Sequence, residues 1–89
     1  MKEREVVIGH RLGLHARAAA RLVQLSSKFQ STIVLLRSDS TAANSAEADA
    51  RSILSILLLC AGYGSTVCVR ANGSDEDEAV QSICEYLAG

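Results

Sequence analysis

Two hydrophobic periodicities alternate along the chain. Glu5-Val6-Val7-Ile8-Gly9 is a β-branched run closed by a glycine, which predicts a first strand. Arg11-Leu12-Gly13-Leu14 reads as a loop. From Ala16 to Lys28, apolar residues at Ala18, Ala19, Leu22, Val23 and Leu25 recur at helical spacing, while Arg17, Arg21, Gln24 and Lys28 fall mostly elsewhere on the helix. Ser31 to Arg37 is again strand-like and is closed by the polar Ser38-Asp39-Ser40, with room for a short third strand over Thr41–Asn44. Ala46 to Arg51 is rich in helix formers, carries a Glu47–Arg51 i,i+4 pair and leads directly into Ser52–Leu59. A helix is expected there, its start left open between Ala46 and Ser52. After a turn framed by Gly62 and Gly64, Val67, Val69 and Ala71 alternate with Thr66, Cys68 and Arg70, the signature of a strand with one buried face. Asn72-Gly73 is a turn, and Ser74-Asp75-Glu76-Asp77 supplies an N-cap with acids in the first turn of a last helix, about Asp75 to Leu87, that buries Ala79, Val80, Ile83 and Leu87. The order β-α-β-β-α-β-α, with every helix able to lie on one face of an antiparallel sheet, defines an α+β fold of two layers.

Length changes the picture only by limiting it: 89 residues are enough for one domain, residues 1–89, and leave no core for a second. No apolar run approaches the roughly 20 residues needed to span a bilayer. The charged Met1-Lys2-Glu3-Arg4-Glu5 is unlike a signal peptide, so a cytoplasmic protein is expected. Cys60, Cys68 and Cys84 have neither CxxC nor Cys/His ligand spacing, which points to buried or half-buried thiols and to no metal site. Aromatics at 3% and a net charge of −1 argue against a nucleic-acid-binding domain. The charge is unevenly spread. Residues 1–37 hold seven Lys and Arg against two acids, and residues 38–89 hold two against eight. Unless folding mixes them, the N-terminal half suits an anion or an acidic partner.

One spot carries candidate chemistry. Gly13-Leu14-His15-Ala16-Arg17 sets an imidazole where a glycine loop enters a helix, whose first N–H groups are unpaired and whose dipole favours negative charge. Arg17 in the first turn opposes the usual charge rule, and a bound phosphate would resolve that conflict. A neutral imidazole is also a competent nucleophile near neutral pH. On spacing alone, His15 is equally a surface or capping residue, and the physics stops at an anion site. His10 reads as a strand-end surface residue.

From Gly13 onward the chain resembles the HPr family, the histidine phosphocarriers of the bacterial phosphoenolpyruvate-dependent sugar phosphotransferase system. The resemblance rests on Gly13-Leu14-His15-Ala16-Arg17-Ala18-Ala19, Ser27-Lys28-Phe29, Arg51-Ser52-Ile53-Leu54 through Gly62-Tyr63-Gly64-Ser65, and Gly73 to Val80. It implies an open-faced β-sandwich of the order above. It also implies that His15 takes a phosphoryl group on Nδ1 from enzyme I and passes it to EIIA components while Arg17 steadies it. Ser52 falls on the family's regulatory serine, the acceptor of an ATP-dependent HPr kinase, and an ordinary helix serine is the alternative. Ala16, Ile53, Leu54 and Leu57 fall on the docking surface beside the active site, though at helical spacing the three larger residues equally suit a core. No cofactor is implied, and a monomer is expected because a transient carrier keeps its docking face free.

The chain departs from the family at Ala18, where a proline is usual, and in a connector over Ser38–Ala50 that is longer than usual. If Ala46–Ala50 continue the helix backwards, Ser52 lies in a helix interior rather than near a start. Two rival functions share the fold: a regulatory carrier unconnected to sugar transport, and an interaction module that never carries phosphate.

Overall fold

The computed structural model describes residues 1–38 and 47–89, so the short strand expected over Thr41–Asn44 and most of the Ser38–Ala50 connector lie outside the described residues. The elements are β1 (Lys2–Val7), α1 (Ala16–Ser26), β2 (Thr32–Arg37), β3 (Glu47–Asp49), α2 (Ile53–Leu58), β4 (Thr66–Asn72) and α3 (Glu76–Ala88). The strands form one antiparallel sheet in the order β1-β4-β2-β3. Alternation along the strands turns Ile33, Leu35, Ala48, Val67, Val69 and Ala71 to one face, where they meet Ala19 and Leu22 of α1, Ile56 of α2 and Ala79, Val80, Ile83 and Leu87 of α3. The expected two-layer α+β architecture is the observed one.

Strand β1 begins at Lys2, three residues before the expected start at Glu5. Its charged start is held by pairing with β4, with Glu3 opposite Arg70 and a 3.2 Å ion pair between them. Backbone pairing needs no apolar side chains, so hydrophobicity alone locates such an edge strand poorly.

The stretch expected to start a helix is different. Glu47–Asp49 is a strand paired with Leu36, Leu35 and Val34, and Ala50 N–H continues the contact to Ile33 O at 3.1 Å. Asp49 then closes a turn: its side chain accepts from Arg51 N–H at 2.9 Å and its carbonyl from Ser52 N–H at 3.0 Å. An aspartate that bonds backbone two residues on competes with helix, and here it ends the strand instead. Arg51, the supposed partner of Glu47, instead sends Nη2 to the carbonyls of Ser26, Phe29 and Ser31. That supplies a cation to the C-terminal end of α1, whose own last turn has no basic residue.

The last helix starts one residue later than expected, and Asp75 at its N-cap position does not cap it. Its carboxylate accepts from Gln30 N–H, Ser31 N–H and the Ser31 hydroxyl at 2.8, 3.0 and 2.6 Å, tying the α1–β2 connection to α3. Glu76 reaches back to Gly73 N–H at 3.2 Å. Of the three thiols expected to be buried or half-buried, Cys84 is buried and Cys68 intermediate, but Cys60 is exposed. It follows the end of α2 with φ 54°, a left-handed position that turns its side chain away from the core.

Candidate functional site

The loop after β1 is pinned from several sides. Ile8 N–H donates to Ser65 O and Gly9 N–H to Leu87 O, both at 2.9 Å, so the loop lies on the C-terminal end of α3. A Cβ on Gly9 would fall 1.8 Å from the carbonyl oxygen of Ala88, so only glycine fits this approach. Gly13 takes φ 68°, and a Cβ there would meet Ala61 O at 2.7 Å. Leu14 is buried and its N–H donates to the same Ala61 carbonyl at 3.0 Å. These contacts fix where α1 begins and join the histidine loop to the exit of α2.

His15 is the N-cap of α1, with extended backbone (φ −78°, ψ −179°), and its carbonyl accepts the first intrahelical bond from Ala19 N–H at 2.8 Å. No side chain caps the helix, and its first turn contains no acid. The N–H groups of Ala16, Arg17 and Ala18 therefore lack an intrahelical partner. His15 is half-buried, whereas Ala16 and Arg17 are exposed. A cleft of about 290 Å³, part of it open to solvent, is lined by His10, His15, Arg17, Ala18, Arg21 and Tyr86. Among the described residues neither arginine forms an ion pair and no carboxylate lines the cleft. Arg17 and Arg21 are like charges at i,i+4 near the positive end of a helix, an arrangement unfavourable by a few tenths of a kcal/mol or more until an anion arrives.

The charge asymmetry of the sequence survives folding in part. Lys2 pairs with Asp77 at 3.5 Å, the N-terminal ammonium with Glu76 at 3.1 Å, and Arg70 with Glu3. Arg17 and Arg21 stay apart from these: Glu76, Asp77 and Glu78 stand in the first turn of α3, Glu85 near its end accepts from Gln81, and the cleft takes Tyr86 from the last turn.

Three cleft residues were not assigned to the site from sequence, and one of them, His10, was expected as a strand-end surface residue. His10 is half-buried; its Nε2 lies 2.7 Å from Tyr86 O and its ring stands 4.9 Å from the tyrosine ring, tilted by 46°. The Tyr86 hydroxyl donates to Ala18 O at 3.3 Å, bridging α3 to α1. Nothing local marks this, since 76 residues separate His10 from Tyr86. Arg21, one turn beyond Arg17, was legible from helical spacing.

Ser52 is the N-cap of α2, not a residue of a helix interior, and its Oγ accepts from Ser55 N–H at 3.3 Å. Ile53 and Leu54 are exposed, at 43% and 67%, whereas Leu57 is half-buried against the core. Leu58, one turn on from Leu54, is exposed at 68% and belongs with them, as does Leu12 of the histidine loop at 78%. Helix α2 packs beside α1, and its exit meets the histidine loop where Leu14 N–H donates to Ala61 O. Among the described residues no helix is long and apolar enough to cross a membrane.

Comparison with known proteins gives the family. The model described as the PTS HPr component phosphorylation site matches residues 2–89. Phosphocarrier protein HPr of Cupriavidus necator is 40% identical over 99% of this chain and 92% of its own length. Phosphocarrier protein NPr of Shewanella violacea is 39% identical over 96% and 87%. Among solved structures, HPr of Bacillus anthracis superposes with a TM-score of 0.85 at 29% identity, covering 97% of this chain and 95% of its own. Crh of Bacillus subtilis, solved as a domain-swapped dimer, gives 0.72 at 30% identity over 98% and 93%. The chain belongs to the HPr phosphocarrier family of the phosphotransferase system.

Proposed function

We propose that residues 1–89 act as one phosphocarrier domain in which His15 accepts a phosphoryl group from phosphorylated enzyme I and passes it to an EIIA-type acceptor. The observation that supports it most is the uncapped, acid-free start of α1, where His15, Arg17 and Arg21 share one cleft without a carboxylate. The His15 imidazole attacks the phosphorus of the donor phosphohistidine. The new N–P bond forms as the old one breaks, and the pair returns to the donor ring. The Arg17 guanidinium and the unpaired N–H groups of the first turn lie ready to balance a phosphoryl charge of about −2. The reverse sequence delivers the group onward, so the protein is a carrier consumed and regenerated by its partners rather than a turnover enzyme.

Docking falls to Ala16, Ile53 and Leu54, extended by Leu12 and Leu58, with Leu57 supporting them from the core side. Ser52, at the edge of that surface, is the proposed kinase acceptor. A phosphate there adds about −1.5 to −2 charges at a helix N-terminus, which α2 tolerates and an acidic partner does not. A monomer keeps this surface free, and the same carrier reading makes the protein cytoplasmic.

Intact mass after incubation with phosphoenolpyruvate and enzyme I tests the carrier step. One acid-labile phosphate on the parent and none on His15→Ala is the expected result. An unlabelled parent beside a labelled standard HPr would defeat the proposal and leave a non-carrying regulator. The acceptor is then read from a panel of EIIA proteins, since relatives of both HPr and NPr names match at nearly equal identity.

A further inference from the structure

His10 lines the cleft and takes no part in the carrier step described above. A backbone carbonyl only accepts, so the 2.7 Å contact to Tyr86 O places a proton on Nε2 of the neutral ring. Nδ1 has no partner among the described residues. The ring thus bridges two helix ends: the C-terminal turn of α3, where carbonyl dipoles favour a cation, and the N-terminal turns of α1, where Arg17 and Arg21 oppose one. The charged or titratable groups sharing its surroundings are His15, Arg17 and Arg21 from α1 and Tyr86 from α3.

We infer that His10 is a further phosphoryl-binding residue: with a proton taken from solvent on Nδ1, it donates a hydrogen bond and a positive charge to the phosphoryl group on His15. The inference rests on the carrier reading above. Before phosphorylation, a charge on His10 faces two uncompensated guanidinium groups. Once a phosphoryl group of about −2 enters the cleft, the same charge has a counter-ion and the α3 carbonyl holds the ring in place. Phosphate and proton therefore favour one another, and linkage makes the effect reciprocal: the carrier holds its phosphate more tightly when the surroundings are mildly acidic. Neither Arg17 nor Arg21 can provide that dependence, because guanidinium stays charged throughout the range.

An equilibrium exchange tests this. Isotopically heavy wild type and light His10→Gln are mixed with limiting phosphoenolpyruvate and a catalytic amount of enzyme I, and intact mass reads how phosphate divides between them. Glutamine keeps an N–H for Tyr86 O but does not titrate. Any pH effect on the phosphohistidine itself is common to both chains and cancels in the ratio. The expected partition favours wild type about 5-fold or more at pH 6, the low end of ordinary site-to-site coupling, and falls to within about 2-fold at pH 8. His10→Asn shows the same slope. An equal partition at both pH values overturns the inference, as does a preference for wild type that does not change with pH, which would mark a structural role or a poorly folded variant. If neither chain takes phosphate, it is the carrier reading that has failed.

Discussion

Helices α1 and α2 pack against each other in opposite directions, with Arg51 at the head of α2 held by the end of α1, and their first turns are built in opposite ways. Ser52 caps α2, its Oγ accepting from Ser55 N–H, while His15 occupies the equivalent place on α1 and caps nothing. Both first turns lack acids, yet only α1 adds an arginine there and another one turn later. By the ordinary rules of helix stability α2 is finished and α1 is not. An uncapped terminus leaves donors and dipole pointed at whatever enters, so the same feature that weakens α1 as a helix makes it an anion site.

Exchanging the two solutions gives the largest effect. His15→Asp places a good cap and a negative charge on α1, and unfolding is expected to show about 0.5–1 kcal/mol of added stability. The same variant takes no phosphate from enzyme I. A variant labelled like wild type would mean that the phosphoryl group resides elsewhere. Arg17→Ala comes next, with phosphotransfer slowed by about 10- to 100-fold and Tm held or slightly raised, because a like-charge pair and an unfavourable dipole contact are both removed. Ser52→Ala works in the other direction: about 1 kcal/mol of stability is lost with the cap, read by denaturant unfolding, while labelling of His15 by enzyme I proceeds.

The contrast also explains how far the sequence could be read. Six of the seven elements and the inward residues of β2, β4 and α3 follow from periodicity, because each is decided within a window of ten or so residues. The strand β3 does not. Glu47-Ala48-Asp49 has the residues of a helix, and what makes it a strand is pairing with β2 together with the Asp49 turn. Tertiary contact overrides local propensity there. The candidate site divides the same way. His15 and Arg17 are visible because loop, histidine and arginine lie within five residues, whereas His10 joins them only through Tyr86, at the far end of the chain. Leu57 and Leu58 show that a helical apolar run identifies a surface-facing helix without saying which leucine faces out.

A third helix start shows the opposite use of an acid. Asp75, at the head of α3, spends its carboxylate on the α1–β2 connection, and the Ser31 hydroxyl, then the Gln30 N–H, hold it below the ordinary aspartate value. A carboxylate with a depressed folded value stabilises fully above its unfolded value, about 3.9, and loses that contribution as pH falls through the lower folded one. Asp75→Asn is therefore expected to melt below wild type at pH 7 and to converge with it once the pH has fallen below that lowered value. A gap that persists unchanged into acid would show that the aspartate acts by shape rather than charge.

The smallest effect belongs to the other end of α2, which is as irregular as its start is regular. Cys60 holds φ 54° where a helix terminus ordinarily has glycine, at a cost of roughly 1 kcal/mol. The side chain recovers little, since it is exposed and its thiol makes one weak contact with Leu57 O at 3.6 Å. The hydrogen bond that the Arg37 guanidinium Nη1 donates to the Cys60 carbonyl does not depend on the cysteine side chain. Cys60→Gly relieves the strained backbone but gives the unfolded chain more freedom, which offsets about half of the gain. The expected net is about 0.5 kcal/mol of stabilisation, read as a small rise in denaturation midpoint at unchanged slope. Because Cys60 continues into the Ala61 carbonyl that Leu14 N–H holds, phosphate uptake at His15 is the control: it stays at the wild-type level if the turn keeps its path. A loss of stability would mean that the thiol contact and the unfolded-chain term together outweigh the left-handed strain at this turn.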